Sequence, residues 1–148
     1  AEVYAYLCRL LRDGAWAEDL AQETFVRAFE SRANLPEVAN PRAWLYRVAT
    51  NLALNALKRR RRFAWLPWSE RQAARQNVAE AVAERSAVQG ALAALPPELR
   101  APLLLYAGEG LRVAEVAQVL GVSEGAVKMR LVRARRLFRQ AYEKGEGR

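Results

Sequence analysis

The sequence predicts an all-α fold made of two small helical domains joined by a linker. Apolar residues recur every three or four positions along most of the chain, which is the spacing of amphipathic helices. Few stretches alternate between polar and apolar residues with period two, so little or no sheet is expected. These signals predict a first domain in residues 1–64, a linker in residues 65–86 and a second domain in residues 87–148.

The charge of the chain is strongly positive and unevenly distributed. The 148 residues include 24 lysines and arginines against 16 aspartates and glutamates, which gives a net charge of +8 and indicates a polyanionic partner. Residues 1–62 carry 11 basic and 7 acidic side chains, residues 63–95 carry 3 of each, and residues 96–148 carry 10 and 6. Two basic blocks therefore flank a neutral middle, as expected of two modules that face nucleic acid and a connector between them.

The composition argues against several classes of function. Cys8 is the only cysteine and the chain has no histidine. An internal disulfide, a Cys/His zinc site and histidine acid–base catalysis are therefore excluded, and we expect no metal, no cofactor and no enzymatic activity. No apolar run approaches the roughly 20 residues of a membrane span, and no signal peptide is apparent. We expect a soluble cytoplasmic protein that does not insert into membranes.

The first domain is predicted to open with two helices separated by Asp13-Gly14. Residues 2–12 form a short amphipathic helix whose apolar side carries Val3, Leu7, Leu10 and Leu11. The second helix is expected to begin at Trp16 or Ala17, with an apolar stripe of Leu20, Ala21, Thr24, Phe25, Ala28 and Phe29. The opposite face is acidic and polar and consists of Asp19, Gln22, Glu23, Val26 and Glu30. That face is either ordinary solvated surface or a docking face for a basic protein, because carboxylates would repel DNA.

A third helix is predicted to begin at Asn40-Pro41, after a polar loop of residues 31–40. Asparagine is a good cap, and proline at the first helical position loses only an amide that would be unpaired anyway. The core side of this helix is predicted to hold Leu45, Val48, Ala49, Leu52 and Ala56. Another face carries an aromatic ring, two amides and two cations in one stripe: Trp44, Arg47, Asn51, Asn55 and Lys58.

This stripe suits nucleic-acid bases, because rings stack on them, amides read their edges and cations hold phosphates. Trp44 is equally compatible with a place in a small core. Asn51 and Asn55 are poor mid-helix residues, and burial is not expected to offset their cost. The run of five cations in residues 58–62 is interpreted as a phosphate-binding segment, with a solvated run as the alternative.

The middle of the chain changes in composition. The aromatic segment 63–69 is expected to pack against the first domain or on a partner, and residues 70–85 are expected to form a weakly ordered or helical linker. A new amphipathic helix begins near Ala87, contains Val88, Ala91, Leu92 and Leu95, and ends at Pro96-Pro97. The next helix is predicted over residues 98–107, where Pro102 should remove one backbone hydrogen bond or delay the helix start. Residues 108–110 form a turn.

Residues 111–138 are predicted to form two helices joined by a tight turn. The first has Val113, Val116, Ala117 and Leu120 at helical spacing and ends at Gly121, which can adopt the left-handed conformation common there. Ser123 then caps a second helix with an apolar seam of Val127, Leu131, Ala134 and Phe138. Its other faces carry Lys128, Arg130, Arg133, Arg135 and Arg136. This pattern is typical of a DNA-binding helix-turn-helix of the winged-helix-like type without a wing, although a helical hairpin with a solvated basic face is the alternative.

Three of these stretches together resemble the extracytoplasmic-function (ECF) group of bacterial RNA polymerase sigma factors. They are AEDLAQETFVRAF, NPRAWLYRVATNLALNALKRRRR and LPPELRAPLLLYAGEGLRVAEVAQVLGVSEGAVKMRLVRARRLF, and they occur in the family's order with the expected gap between them. The resemblance implies a first domain like sigma region 2 and a second like sigma region 4. It also implies RNA polymerase core, promoter DNA and an anti-sigma factor as partners.

The resemblance assigns a role to each face. The acidic helix would dock on the clamp helices of the polymerase's largest subunit through Asp19, Gln22, Glu23, Val26 and Arg27, and the flap of the core would be a further contact. The loop of residues 31–40, which in the family captures a flipped base, and the helix after it would recognise and melt the minus-ten element through Asn34, Trp44, Arg47, Asn51, Asn55, Lys58, Arg59 and Arg60. The helix-turn-helix would bind the minus-thirty-five element through Arg112, Ser123, Glu124, Lys128, Met129, Arg130, Val132, Arg133, Arg135 and Arg136. The anti-sigma factor would grip both domains and residues 63–68.

The chain departs from the family pattern at two places. Where members often have Thr-Val-Lys-Ser-Arg, residues 126–130 read Ala-Val-Lys-Met-Arg, so two hydroxyl groups are absent from the recognition helix. Asn55 stands where an aspartate is common. A DNA-binding regulator that does not join polymerase is the rival hypothesis, and an RNA-binding adaptor is a third. The acidic face and the asparagine-bearing helix favour the sigma factor, because a repressor needs neither.

Overall fold

A computed structural model describes residues 2–34, 39–62 and 86–146 of the chain, and within these ranges all regular structure is helical. The all-α prediction is therefore confirmed. The described residues form seven α-helices, which are, in chain order, α1 (Glu2–Leu11), α2 (Gly14–Glu30), α3 (Pro41–Arg62), α4 (Ala87–Ala93), α5 (Pro97–Leu103), α6 (Val113–Leu120) and α7 (Glu124–Glu146). A π-helical turn, Leu104–Gly108, continues α5. The predicted aromatic segment 63–69 and residues 65–85 of the predicted linker lie outside the described residues.

Helices α1 to α3 form the first half of the molecule. Asp13 starts α2 earlier than predicted, at Gly14, because its carboxylate accepts a hydrogen bond from the backbone N–H of Trp16 at 3.1 Å. Asn40 caps α3 as predicted, and its side-chain oxygen accepts from the N–H of Ala43 at 3.1 Å. The α3 helix continues to Arg62 and so includes the whole basic run of residues 58–62.

The core of this half contains polar groups that are satisfied in pairs. Tyr6 and Thr50 are fully buried, and their hydroxyl oxygens are 2.7 Å apart. The Tyr6 ring meets that of Tyr46 edge to face, with centroids 5.4 Å apart. Thr24 donates its hydroxyl to the carbonyl of Leu20 at 2.7 Å. The tyrosines were not predicted as core residues, but they tie α1 to α3 and so orient the asparagine-bearing helix.

The predicted apolar stripe of α2 is wrong in part. Leu20, Ala21 and Thr24 are buried, but Phe25 and Phe29 are 44% and 65% exposed. At 100° per residue, these rings lie roughly 90° and 130° around the helix from the centre of the buried stripe. The two phenylalanines therefore face solvent beside the acidic face.

The second half begins with α4 and α5, which meet at Pro96-Pro97 as predicted. Val88, predicted as core, is 44% exposed, whereas Leu92 and Leu95 are buried. Helix α5 begins at Pro97, one residue before the predicted start, so Pro102 does not delay it. The hydrogen-bond pattern then becomes π-helical, because Glu109 donates its N–H to the carbonyl of Leu104, five residues earlier, at 2.9 Å.

The helix-turn-helix forms as predicted. Gly121 has φ of +67° and ends α6 in the left-handed conformation. The Ser123 hydroxyl accepts from the N–H of Ala126 at 3.1 Å and so caps α7. The predicted seam faces inward, since Val127, Leu131 and Ala134 are buried and Phe138 is partly buried against the core.

The two halves pack against each other, and their buried side chains form one apolar cluster. Most of the contact is between α3 and α6. Arg100 reaches from α5 to the carbonyl of Leu10 at the end of α1, and this guanidinium is only 7% exposed. The helix-turn-helix therefore lies directly beside the asparagine-bearing helix.

Candidate protein and nucleic-acid interfaces

The acidic face of α2 is exposed along its length, as the sequence predicted. Its side chains are Asp19, Gln22, Glu23, Val26, Arg27 and Glu30. Arg27 donates to the carboxylate of Glu23 at 3.1 Å, one helical turn apart. Such an exposed pair contributes little to stability, so the face is free to exchange it for contacts with a partner.

The exposed phenylalanines extend this face with apolar surface. Phe29 lies next to Gln22 and Val26 around the helix, and the guanidinium of Arg32 stacks over its ring at 4.0 Å. Arg32 also donates to the carbonyl of Phe29 at 2.8 Å, which fixes the turn that follows α2. The combination of carboxylates and exposed rings is typical of a protein-docking surface rather than of ordinary solvated surface.

The nucleic-acid stripe of α3 is mostly exposed. Arg47, Asn51, Asn55 and Lys58 all face solvent on one side of the helix. Trp44 is half-buried, which is intermediate between an exposed base-stacking position and a place in the core. Its ring lines a cleft of about 430 Å³ between α3 and α6. The structure therefore brings the amides and cations of the stripe together and sets the tryptophan at its edge.

The basic run at the end of α3 divides into two parts. Arg60 stacks over the Trp16 ring at 4.3 Å and lies 3.8 Å from the carboxylate of Asp13, so it holds α3 against the α1–α2 turn. Lys58 and Arg59 are exposed. In the preceding loop Asn34 is also exposed, and residues 35–38 lie outside the described residues. Of the predicted cations, Lys58 and Arg59 are the better placed for phosphate.

The exposed face of α7 alternates cations with apolar side chains. Met129 and Val132 are 59% and 57% exposed, and Lys128, Arg133 and Arg136 are exposed around them. Arg130 is half-buried, and the Arg135 guanidinium lies 5.5 Å from the centre of the Tyr106 ring. Apolar side chains on a groove-reading helix contact thymine methyl groups, and arginines bind phosphates or guanine edges. The exposed Met129 and Val132 therefore suit base readout without a hydroxyl.

The N-terminus of α6 is organised by Glu115. One of its carboxylate oxygens accepts from the N–H of Arg112 at 2.9 Å and from the Arg112 guanidinium at 3.1 Å. The other accepts from the side-chain amide of Asn40 at 2.8 Å. These bonds, with the backbone N–H of Arg112 as the largest cause, lower the pKa of Glu115 to about 2. Arg112, which the resemblance placed on DNA, is thus engaged within the protein, and Glu124 at the start of α7 is exposed.

An apolar groove in the second half has no counterpart in the sequence analysis. It has a volume of about 650 Å³ and lies between α4, the π-helical turn and the last turns of α7. Apolar side chains line it, and arginines from α1 and α7 stand at its rim: Val88, Leu92, Leu103, Leu104, Phe138, Tyr142, Arg9, Arg135 and Arg139. Val88 lies on the predicted apolar side of α4, but the sequence does not show that it is exposed, so no local signal predicts this groove.

In the described parts of the chain, no group of three or more acidic or cysteine side chains is arranged to hold a metal ion. Among the same residues, no helix is long and apolar enough to cross a membrane.

Comparisons with known proteins match both halves of the chain. Residues 1–63 match the family model for sigma-70 region 2, and residues 85–138 match that for sigma-70 region 4. ECF RNA polymerase sigma factor SigL of Mycobacterium tuberculosis is 36% identical over 149 residues, which cover 95% of this chain and 84% of SigL. SigE of Mycolicibacterium smegmatis, also an ECF RNA polymerase sigma factor, is 38% identical, and the match covers 93% of this chain and 56% of SigE.

The probable RNA polymerase sigma factor RfaY of Xanthomonas campestris is 36% identical, and the match covers 36% of its length and 93% of this chain. The chain thus spans about half or less of two of these relatives. Among solved structures, the sigma factor RpoE in complex with the anti-sigma factor NepR from Bartonella quintana has a TM-score of 0.73 at 22% identity, covering 95% of this chain and 89% of RpoE. CnrH in complex with the cytosolic domain of CnrY has a TM-score of 0.67 at 26% identity, covering 96% and 81%.

Proposed function

Because the chain belongs to the ECF group of the sigma-70 family, we propose that it is a promoter-specificity subunit of bacterial RNA polymerase. It binds the polymerase core, recognises the minus-thirty-five and minus-ten elements and promotes strand opening. The observation that carries this proposal is the presence, on one small chain, of an exposed acidic face with two phenylalanines and of two separate exposed helical faces that carry amides and cations. The chemistry belongs to the polymerase, so the chain itself has no enzymatic role, and it works in the cytoplasm.

We assign core binding to the acidic face of α2, where it meets the clamp helices. The test is Glu23→Arg, which replaces an exposed carboxylate by a cation at the centre of this face. We expect core binding to weaken at least tenfold, since like charges across an interface cost several kcal/mol. Glu124→Arg is the matched control for core binding, because Glu124 is an exposed carboxylate at the start of α7 and lies outside the face of α2.

The DNA-binding activity of the second half should be unaffected by Glu23→Arg. Equal losses of core binding and duplex binding would contradict this division of roles. A purified chain that does not bind core polymerase at all would refute the sigma-factor proposal and favour a helix-turn-helix regulator.

The apolar groove of the second half is the proposed contact for the flap of the core. Its apolar floor and arginine rim fit an amphipathic helix that carries acidic side chains. Val88→Asp places a carboxylate at the exposed edge of this groove without removing a fully buried side chain. We expect weaker core binding and unchanged helical content, whereas unchanged core binding would argue against the groove.

Promoter DNA is assigned to two faces. The stripe of α3, with the loop before it, takes the minus-ten element, and α7 takes the minus-thirty-five element in the major groove. Arg133→Ala should cost about 1–3 kcal/mol and relax sequence preference if Arg133 reads a base edge, whereas Lys128→Ala should weaken all duplexes alike and lower the salt dependence. Both are measured by duplex binding over a salt series. An unchanged affinity for Arg133→Ala would make it a solvated charge.

We further propose that residues 1–64 and 87–148 act as separate modules joined by residues 65–86. An anti-sigma factor that grips both modules is the expected regulatory partner. Its presence is supported by the likeness to CnrH, which was solved with the cytosolic domain of CnrY. Co-purification of the chain with a partner from its native cells, followed by loss of core binding in the complex, would test this.

A further inference from the structure

The cleft between α3 and α6 has a volume of about 430 Å³, and small residues on both helices keep it open. A Cβ atom placed on Gly121, at the end of α6, would meet no atom within 4 Å. The volume is within the range of about 300–1,000 Å³ that small-molecule sites occupy. The residues that line this α3–α6 cleft are Ala39, Asn40, Ala43, Trp44, Arg47, Ala117, Gln118, Gly121 and Val122.

Three polar groups of the cleft have no partner in the described part of the chain. The Trp44 indole N–H, the Arg47 guanidinium and the Gln118 side-chain amide make no hydrogen bond or ion pair with any of its residues. Asn40, in contrast, is held by the protein, because its oxygen caps α3 and its amide nitrogen donates to Glu115. One cleft therefore offers a ligand an aromatic ring, a cation and an amide.

The charge of the cleft favours an anionic ligand. Arg47 is exposed, and it is the only charged side chain among the described residues that line the cleft. The carboxylate of Glu115, next to Asn40, already accepts hydrogen bonds from Asn40 and from two donors of Arg112. An exposed guanidinium suits a phosphate that keeps its other oxygens in water.

The remaining groups suit a nucleobase. The half-buried Trp44 ring offers a surface for stacking, and the alanines give a stacked base apolar surroundings. The Gln118 amide can bind adenine at two atoms, because its oxygen accepts from the N6 amino group and its nitrogen donates to N7. Inorganic phosphate would leave the ring and the amide unused, and a fatty-acyl carboxylate would leave the amide without a partner. An adenine nucleotide uses the ring, the cation and the amide together.

We propose that the α3–α6 cleft is a binding site for a free adenine mononucleotide. The base stacks on Trp44 and pairs with Gln118, and the 5′-phosphate pairs with Arg47. Both halves contribute, since Trp44 and Arg47 belong to α3 and Gln118 belongs to α6. Nucleotide binding itself does not depend on the proposed function. If that function holds, the bound nucleotide occupies two side chains of the minus-ten stripe and competes with the promoter strand for them.

The first test is calorimetry of the purified full chain with adenosine 5′-monophosphate (AMP). We expect one saturable site per chain with a Kd on the order of 0.1 mM, as for a small ligand that stays partly in water. Binding should quench the fluorescence of Trp44, and this quench should be absent in Trp44→Phe, whose fold is checked by circular dichroism. No saturable binding at millimolar AMP would overturn the proposal, and so would a quench that persists in Trp44→Phe.

Paired changes in ligand and protein test each contact. Adenosine lacks the phosphate, and inosine 5′-monophosphate (IMP) has a carbonyl in place of the N6 amino group. AMP should bind the wild type on the order of tenfold more tightly than either. Arg47→Gln should remove only the preference over adenosine, and Gln118→Leu should remove only the preference over IMP. Arg139→Gln and Gln140→Leu, which make the same changes on the exposed side of α7, are the controls. Preferences that are absent in the wild type, or that survive in the cleft variants, would refute the assigned contacts.

A competition experiment separates a free nucleotide from a base within a DNA strand, because both present the same chemistry. Single-stranded oligodeoxyadenylate is titrated into the chain with and without saturating AMP. We expect AMP to bind on its own and to be displaced by the oligonucleotide. If only the oligonucleotide binds, and Gln118→Leu weakens that binding, the cleft belongs to the strand and the free-nucleotide site is refuted. Failure of the chain to bind core polymerase would refute the proposed function but leave AMP binding unchanged, so the two proposals fail separately.

Discussion

Arg100 provides the sharpest test of how the second half is held together. Its guanidinium donates to the carbonyls of Leu92 at 3.0 Å, Ala93 at 3.4 Å and Leu95 at 2.7 Å, and also to that of Leu10. These carbonyls lie at the ends of α4 and α1, where a helix leaves its last carbonyls without partners. One buried cation thus satisfies the ends of two helices from different halves.

The expected effect of Arg100→Met follows from two opposing terms. The carbonyl of Leu92 keeps the backbone N–H of Leu95 as a donor at 3.2 Å, whereas removing the guanidinium from the carbonyls of Leu10, Ala93 and Leu95 costs about 1–3 kcal/mol each. Burial lowers the pKa of Arg100 from 12.5 to about 10, which corresponds to a cost of about 3 kcal/mol for keeping the cation in the folded state. Methionine removes that cost, so we expect a net loss of about 3 kcal/mol in the free energy of unfolding. This equals a fall of roughly 6–12 °C in Tm for a chain of this size.

Urea and thermal unfolding, followed by helical circular dichroism, measure this loss. Arg100→Lys should fall between the wild type and Arg100→Met, because an ammonium keeps the charge but reaches fewer carbonyls. Arg139→Met is the matched control on exposed surface and should stay within about 0.5 kcal/mol of the wild type. If Arg100→Met is as stable as the control, the carbonyls have found other donors and the reasoning fails.

Three further outcomes follow from the observed contacts. Thr50→Val should cost about 1–3 kcal/mol of unfolding free energy because it leaves the buried Tyr6 hydroxyl unpaired, and adding Tyr6→Phe should recover part of that loss in a double-mutant cycle. Ser123→Ala should lower the unfolding free energy by about 1 kcal/mol, because it removes the cap of α7. Ser123→Asp should keep the cap and the stability but weaken duplex binding, because its carboxylate would repel phosphate. Unchanged duplex binding by Ser123→Asp would show that Ser123 is not at the DNA interface. The pKa of Glu115 is lowered from 4.5 to about 2, so its contribution to stability should be complete above about pH 5 and disappear as pH falls toward 2. The difference in unfolding free energy between wild type and Glu115→Gln should therefore be constant from about pH 5 to 8 and decrease below about pH 5.

Sequence reasoning predicted the features that depend on neighbouring residues. Gly121, Ser123 and the seam from Val127 to Phe138 each act within one or two helical turns, and all have the predicted conformation or burial. The Asn40 cap is local in the same sense. Such features depend on backbone sterics and on the unpaired amides within a few residues, so the local sequence is enough to predict them.

The errors arose where a partner from another part of the chain decides burial. Phe25 looked like a core residue because it is large and apolar, but α1 and α3 cover only one side of α2. The sequence patterns assign no role to Arg100, yet it lies buried among carbonyls 5 to 90 residues away in sequence. Tyr46 stands between predicted core positions, but its hydroxyl is paired by Glu109, a residue 63 positions away that no local pattern places near it. Helical periodicity specifies a face, and only tertiary contacts specify what covers that face.

Asn40 makes one hydrogen bond within its own helix and another to the second half. Its side-chain oxygen caps α3 at Ala43, and its amide nitrogen reaches across to one oxygen of Glu115, whose other oxygen binds Arg112 within α6. Each helix therefore keeps its own cap when the contact between the halves breaks. Asn40→Asp should preserve the cap, because aspartate is as good at this position, but it sets two carboxylates against each other across the interface.

We therefore expect Asn40→Asp to weaken the contact between the halves with no loss of helical content, as measured by circular dichroism and by the distance between spin labels at Glu30→Cys and Gln140→Cys in a Cys8→Ser chain. Glu115→Gln added to Asn40→Asp should restore the short distance, because the glutamine amide can donate to the new carboxylate. A loss of helix in Asn40→Asp would mean that the cap and the contact between the halves cannot be separated. An unchanged distance would mean that the Asn40 amide plays no part in holding the halves together.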